Sequence, residues 1–122
     1  MTVPTWAPLA PNPFGVWDVE PGWVADHAAD VQLLDVREPD EFTGELGHIA
    51  GAVLIPLGEL AERTGALSKD KPIVAVCRSG VRSAHAVRFL AEAGFERLAN
   101  LPGGMLRWRQ DGRAVETVPF GL

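Results

Sequence analysis

The sequence predicts an α/β fold, and three observations carry that prediction. From Val16 onward, short apolar runs alternate with amphipathic stretches, the pattern of strands interleaved with helices. Strands connected in that way form a mainly parallel sheet covered by helices on both faces. The 122 residues, 47% of them hydrophobic, are enough for one core and too few for two.

The elements follow in order. Residues 1–15, MTVPTWAPLAPNPFG, contain Pro4, Pro8, Pro11 and Pro13. Each proline lacks a backbone donor and restrains the residue before it, so this stretch is expected to be an extension without regular structure, with the domain running from 16 to 122. Five short strands are placed near 16–19, 31–36, 52–55, 73–76 and 97–100. Helices are placed near 21–29, with Pro21 in the first turn, and near 39–44 and 57–63. Two more fit near 82–93, ended by Gly94, and near 104–111, ended by Gly112. No internal repeat or low-complexity tract interrupts the series.

Composition narrows the function classes. A net charge of -5 opposes general affinity for nucleic acid or anionic lipid, and no apolar run reaches membrane-spanning length. The first basic residue is Arg37, so the positive region of a secretory signal is missing and the cytoplasm is the expected location. The charge is uneven, because residues 1–76 hold 12 acidic and 4 basic side chains whereas residues 77–122 hold 4 and 7. The basic part begins at Cys77. A single cysteine can form neither an intrachain disulfide nor a thiolate metal cluster, so Cys77 is either a small buried hydrophobe or a reactive thiol. Nothing in the chain calls for a metal or an organic cofactor.

The segment Ile73-Val-Ala-Val-Cys-Arg-Ser-Gly-Val-Arg-Ser83 runs an apolar strand into Cys77, then a short loop, then an amphipathic helix. Ligands of open α/β sheets bind beyond the carboxyl ends of strands, and a loop entering a helix aims free N–H groups at an anion there. The helix dipole, the loop amides and the guanidinium groups of Arg78 and Arg82 all favour an ionised thiol, and Gly80 lets the loop curl tightly. In the bland alternative Cys77 merely ends a buried strand. The strand, loop, glycine, paired arginines and helix arriving in order favour the reactive thiol.

Four segments resemble the rhodanese homology domain in register, from about residue 16 to 118. They are Leu33-Leu-Asp-Val-Arg-Glu-Pro-Asp-Glu-Phe42, Gly47-His-Ile-Ala-Gly-Ala-Val-Leu-Ile-Pro56, Cys77-Arg-Ser-Gly-Val-Arg-Ser83 and Gly103-Gly-Met-Leu-Arg-Trp108. The resemblance implies a single-domain sulfurtransferase in which Cys77 takes the sulfane sulfur of a small anionic donor such as thiosulfate. Cys77 then holds it as a persulfide and yields it to cyanide, a thiol or a protein acceptor. The amides of Arg78, Ser79, Gly80, Val81, Arg82 and Ser83 are expected to hold the persulfide charge, with Arg78 and Arg82 attracting the donor. Cysteine phosphatases place an arginine six positions after the cysteine. Here that position is Ser83, and the shorter loop suits a single sulfur better than a phosphoryl group. Two rival readings are a sulfur-relay module fed by a partner protein and a binding domain with an inert cysteine.

Other residues are assigned supporting parts. Asp35 and Arg37 fall on one side of their strand end and are expected to pair beside the active loop. Glu38 and Glu41 are placed on an exposed helix face. His48 is expected to fix a turn, His85 to face solvent and His27 to end a helix. Trp108 and Met105 are read as core, Gly103 and Gly104 as a tight turn, and Arg107, Arg109 and Arg113 as solvating a helix face.

Overall fold

The computed structural model describes residues 3–117. Its centre is β5, Ile73–Val76, a four-residue apolar run buried at every position. Parallel pairing flanks it with β6 (Leu98–Asn100) on one side and β3 (Gln32–Asp35) on the other. Outside these lie β2 (Trp17–Val19), parallel to β6, and β4 (Val53–Leu54), parallel to β3. The anticipated class and all five anticipated strands are present, each within two residues of its expected ends.

Among the described residues the sheet has six strands rather than five, in the order β1-β2-β6-β5-β3-β4. The additional strand, β1 (Leu9–Pro11), comes from the proline-rich stretch and runs antiparallel to β2, with Leu9 opposite Val19 and Pro11 opposite Trp17. An edge strand needs donors on one side only, so proline is tolerated there. The turn into β2 is closed by Asn12 N–H to the Val16 carbonyl at 2.8 Å and by Gly15 N–H to the Asn12 carbonyl at 2.9 Å. The expectation of no regular structure before residue 16 therefore fails at Leu9–Pro11. The prolines restrict which edge of a strand can pair without forbidding pairing.

Helices cover both faces, and the two-residue period of β5 sorts its side chains between them. Ile73 and Ala75 join Leu34, Ile55, Leu60, Val87 and Leu90 on the face covered by α3 (Leu60–Arg63) and α4 (Val81–Glu92). Val74 and Val76 join Val24, Leu101, Met105 and Trp108 on the face covered by α1 (Pro21–Asp26) and α5 (Gly104–Gln110). A short α2 (Pro39–Phe42) leaves the end of β3 and is closed by a capping box between Glu38 and Glu41. The carboxyl ends of β3, β5 and β6 thus lie side by side, and the loops leaving them form one surface.

Candidate active site

Cys77 is the first residue beyond β5 and, at 1% exposure, forms the floor of the loop that follows. Gly80 folds that loop over it with φ of 102°, a left-handed conformation that costs glycine little. The fold aims the Gly80 N–H at Cys77 Sγ, 3.1 Å away. Arg78, Ser79 and Val81 are exposed around this point, while Gly80 and Ser83 are buried. The seven-residue run therefore places a thiol under a cap of backbone and cationic side chains, with the first turn of α4 beside it.

The first turn of α5 holds this loop from the other side. Met105 N–H donates to the Cys77 carbonyl at 2.9 Å and Leu106 N–H to the Arg78 carbonyl at 3.1 Å. These helix-end donors have no partner within their own helix, so the loop satisfies them and they in turn fix its carbonyls. The approach requires glycine. A Cβ on Gly104, where φ is +55°, would lie 2.5 Å from the Arg78 carbonyl oxygen. The fourth motif seen in the sequence is thus a clamp on the third.

Asp35 and Arg37 form the anticipated pair, and both are 1% exposed. Arg37 Nε donates to Asp35 Oδ1 at 2.9 Å and Nη2 to Asp35 Oδ2 at 2.8 Å. The same guanidinium reaches the carbonyls of Glu41, at 3.1 Å, and Gly47, at 2.8 Å. Arg37 therefore ties the end of β3 to α2 and to the second glycine motif. None of its hydrogen bonds reaches Cys77.

The expectation for Glu41 is corrected. Rather than facing solvent, it receives Arg82 Nη1 at 2.7 Å and Nη2 at 2.8 Å, with the two side chains 28% and 36% exposed. Its Oε1 also accepts the Glu38 N–H at 3.0 Å, so one carboxylate closes a helix start and grips α4. Hydrogen bonding from Arg82 holds the Glu41 carboxyl down at about 2, and Glu41 in return raises the Arg82 guanidinium above its ordinary value. Glu38 is exposed as anticipated. Sequence spacing carried no sign of the long-range pair, although Glu38 and Glu41 at i and i+3 behind a proline do mark a capping box.

Beside the pair lies a cavity of about 170 Å³, bounded by Arg37, Asp40, Glu41, Glu45 and Arg78. Of the residues from Cys77 to Ser83 only Arg78 lines it, and larger clefts of about 340 Å³ between α4 and β2 and about 360 Å³ beside Trp108 include none of them.

On its far side Cys77 meets a polar chain that the sequence did not announce. Ser83 Oγ lies 3.3 Å from Cys77 Sγ and 2.5 Å from Asn100 Oδ1. Asn100 Nδ2 donates to Asp18 Oδ1 at 3.0 Å, and Asn12 Nδ2 donates to the same oxygen at 2.8 Å. Asn100 is 1% exposed, a polar end to an otherwise apolar strand, and that polarity is the one signal that marks it out.

The histidine, core and glycine assignments hold their places, whereas the arginines do more than solvate a helix face, and Arg113 lies beyond α5 with its guanidinium 5.8 Å from the Trp108 ring. His48 Nδ1 lies 3.0 Å from the Phe42 carbonyl and its ring stacks on Phe42 at 3.8 Å. His27 caps α1, and His85 is exposed with its ring 6.0 Å from that of Phe14. Trp108 and Met105 are core residues, and Gly103 and Gly104 both have positive φ. Arg107 pairs with Glu20 at 2.6 Å, while Arg109 Nη1 donates to the Glu45 carbonyl at 3.1 Å.

This sheet, with a glycine-capped cysteine beyond its central strand, defines a rhodanese-type α/β domain, and comparison with known proteins agrees. The model of the Rhodanese-like domain matches residues 20–111, and the chain belongs to that family. It is 46% identical over 77 residues to the uncharacterized protein YqhL of Bacillus subtilis, covering 63% of this chain and 60% of that one. It is 36% identical over 83 residues to the thiosulfate sulfurtransferase GlpE of Shewanella oneidensis, covering 68% of this chain and 80% of that one. A rhodanese-related protein of Thermoplasma volcanium superposes with a TM-score of 0.77 at 33% identity, covering 83% of this chain and 98% of that one. The chain spans less than two thirds of the length of several curated relatives it matches. The family and its relatives support sulfur transfer as the general class of chemistry. Among the described residues no helix is long and apolar enough to cross a membrane.

Proposed function

We propose that the protein is a sulfurtransferase that carries sulfane sulfur on Cys77 as a persulfide. The observation that carries this reading is the buried Cys77 Sγ under a glycine-capped loop, with the Gly80 N–H aimed at it from 3.1 Å. Thiosulfate is the assayable donor, and cyanide, a small thiol or a protein thiol is the acceptor. After the thiol has lost its proton to solvent, an Sγ lone pair forms a bond to the donor's outer sulfur. The bond from that sulfur to the rest of the donor breaks, and its electron pair leaves with sulfite. The sulfur arrives already at the sulfane level, so no oxidant is consumed. The acceptor then attacks the outer sulfur and returns Cys77 as thiolate, a two-step covalent cycle.

The backbone amides of residues 78–83 stabilise the charge carried by the outer sulfur, as a preorganised set of dipoles. Arg78, exposed at the rim of the cavity, supplies attraction for an anionic donor. Arg82 has both terminal nitrogens engaged by Glu41, so its part is to contribute field and to hold the start of α4. Asp35 and Arg37 support the site by fixing α2, which presents Glu41.

The test is the intact mass of the protein after thiosulfate and then after cyanide, with Cys77→Ser alongside. A gain of one sulfur that requires Cys77 and is removed by cyanide is the expected result. A folded Cys77→Ser variant that still transfers sulfur, or a wild-type mass unchanged by both thiosulfate and a protein persulfide donor, would overturn the reading.

A further inference from the structure

The orientation of one hydroxyl proton beside Cys77 follows from a chain of forced choices. Phe14 N–H donates to Asn12 Oδ1 at 2.7 Å, which turns the Asn12 amide so that Nδ2 faces Asp18. The Asp18 carboxylate only accepts, so Asn100 must also present Nδ2 to it and is left with Oδ1 facing Ser83. Oδ1 too can only accept, and the Ser83 hydroxyl has a single proton, which goes to Asn100. What Ser83 Oγ then offers to Cys77 Sγ, 3.3 Å away, is a lone pair.

We propose that Asn100 is a positioning residue that keeps the Ser83 proton away from Cys77 and so withholds one hydrogen bond from the thiolate. The proposal rests on the persulfide reading above. In the resting thiol, S–H donates to Ser83 Oγ. In the thiolate, a lone pair opposes the anion at that side and the Gly80 N–H is left to stabilise it. In the persulfide, the charge sits one S–S bond away on the outer sulfur, and Ser83 faces a neutral Sγ. Attack on a donor therefore moves charge away from the lone pair, and unloading returns it. The arrangement also joins the turn after β1 to the reacting atom through Asn12, Asp18, Asn100 and Ser83.

Other charged groups surround the sulfur, namely Arg82 from α4, Asp35 and Arg37 at the end of β3, Glu41 from α2, Arg78 in the loop and Asp18 from β2. On α5, Arg107 is paired with Glu20 and Arg109 donates to the Glu45 carbonyl. None of these is altered in the variants that test the proposal.

The experiment follows thiolate formation against pH in the full chain without any donor, by ultraviolet thiolate absorbance and by the rate of alkylation. The variants are Asn100→Ala, Ser83→Ala and the two combined. Asn100→Ala is expected to move the profile to lower pH, with a thiolate fraction about tenfold larger on its rising limb, as the freed hydroxyl turns to donate to sulfur. The double variant is expected to lose that gain. An Asn100→Ala profile that stays in place or moves to higher pH overturns the proposal, as does a gain that survives in the double variant. Ser83→Ala alone keeps the proposal testable if the buried asparagine proves necessary for folding. A fall in its thiolate fraction would mean that Ser83 donates to sulfur in the native protein, which refutes the assignment. Because no donor is present, these outcomes are independent of whether Cys77 transfers sulfur.

Discussion

Replacing Arg37 with methionine should be among the most damaging single changes outside Cys77, and the structure gives the size of the effect. The substitution fills most of the volume but removes a buried guanidinium, leaving the Asp35 carboxylate, 1% exposed, without its counter-ion. Breaking one side of a buried ion pair costs about 3–5 kcal/mol, since the remaining charge stays desolvated. The Gly47 carbonyl also loses its 2.8 Å donor. At roughly 4 °C per kcal/mol for a domain of this size, the melting temperature should fall by about 12–20 °C. Calorimetry or circular dichroism reads that fall directly. Adding Asp35→Asn to Arg37→Met should recover part of it, because the stranded charge is removed. A fall of less than about 3 °C, or a double variant less stable than Arg37→Met, would refute the argument that the pair's cost lies in an uncompensated buried charge.

Two further outcomes follow from the geometry. Glu41 titrates at about 2 in the folded protein against an ordinary 4.5, so its contribution to stability is complete above the ordinary value and is lost as pH falls toward 2. Glu41→Gln should therefore be less stable than wild type near neutral pH, with the difference closing in strong acid. A difference that stays constant over that range would show that the Arg82 pair is not its source. Gly104→Ala places a Cβ 2.5 Å from the Arg78 carbonyl oxygen in a left-handed backbone, which should cost about 2–4 kcal/mol and displace the Cys77 loop. An unchanged denaturant midpoint together with unchanged persulfide formation would contradict the clamp assigned to α5.

Most of the fold, and the loop that covers Cys77, were legible in the sequence. An apolar run such as Ile73–Val76, with a cysteine, a glycine and a helix directly after it, has few ways to be satisfied. Each feature is local, fixed by backbone periodicity, turn chemistry and capping, so adjacent residues suffice to announce it. The pairing of Asp35 with Arg37 was visible for the same reason, since two positions along a strand share a face.

What only the tertiary structure decided depends on residues far apart in the chain. Glu41 meets Arg82 across 41 positions, and Asp18 meets Asn100 across 82, contacts that no local spacing encodes. The β1 pairing was hidden because proline reads as a breaker in isolation, while an edge strand asks for donors on one side only. The sequence alone determined the class, the place of Cys77 at the end of the central strand and the loop that covers it. The packing of distant strands decided which arginine is tied to a carboxylate, and which lone pair faces the sulfur.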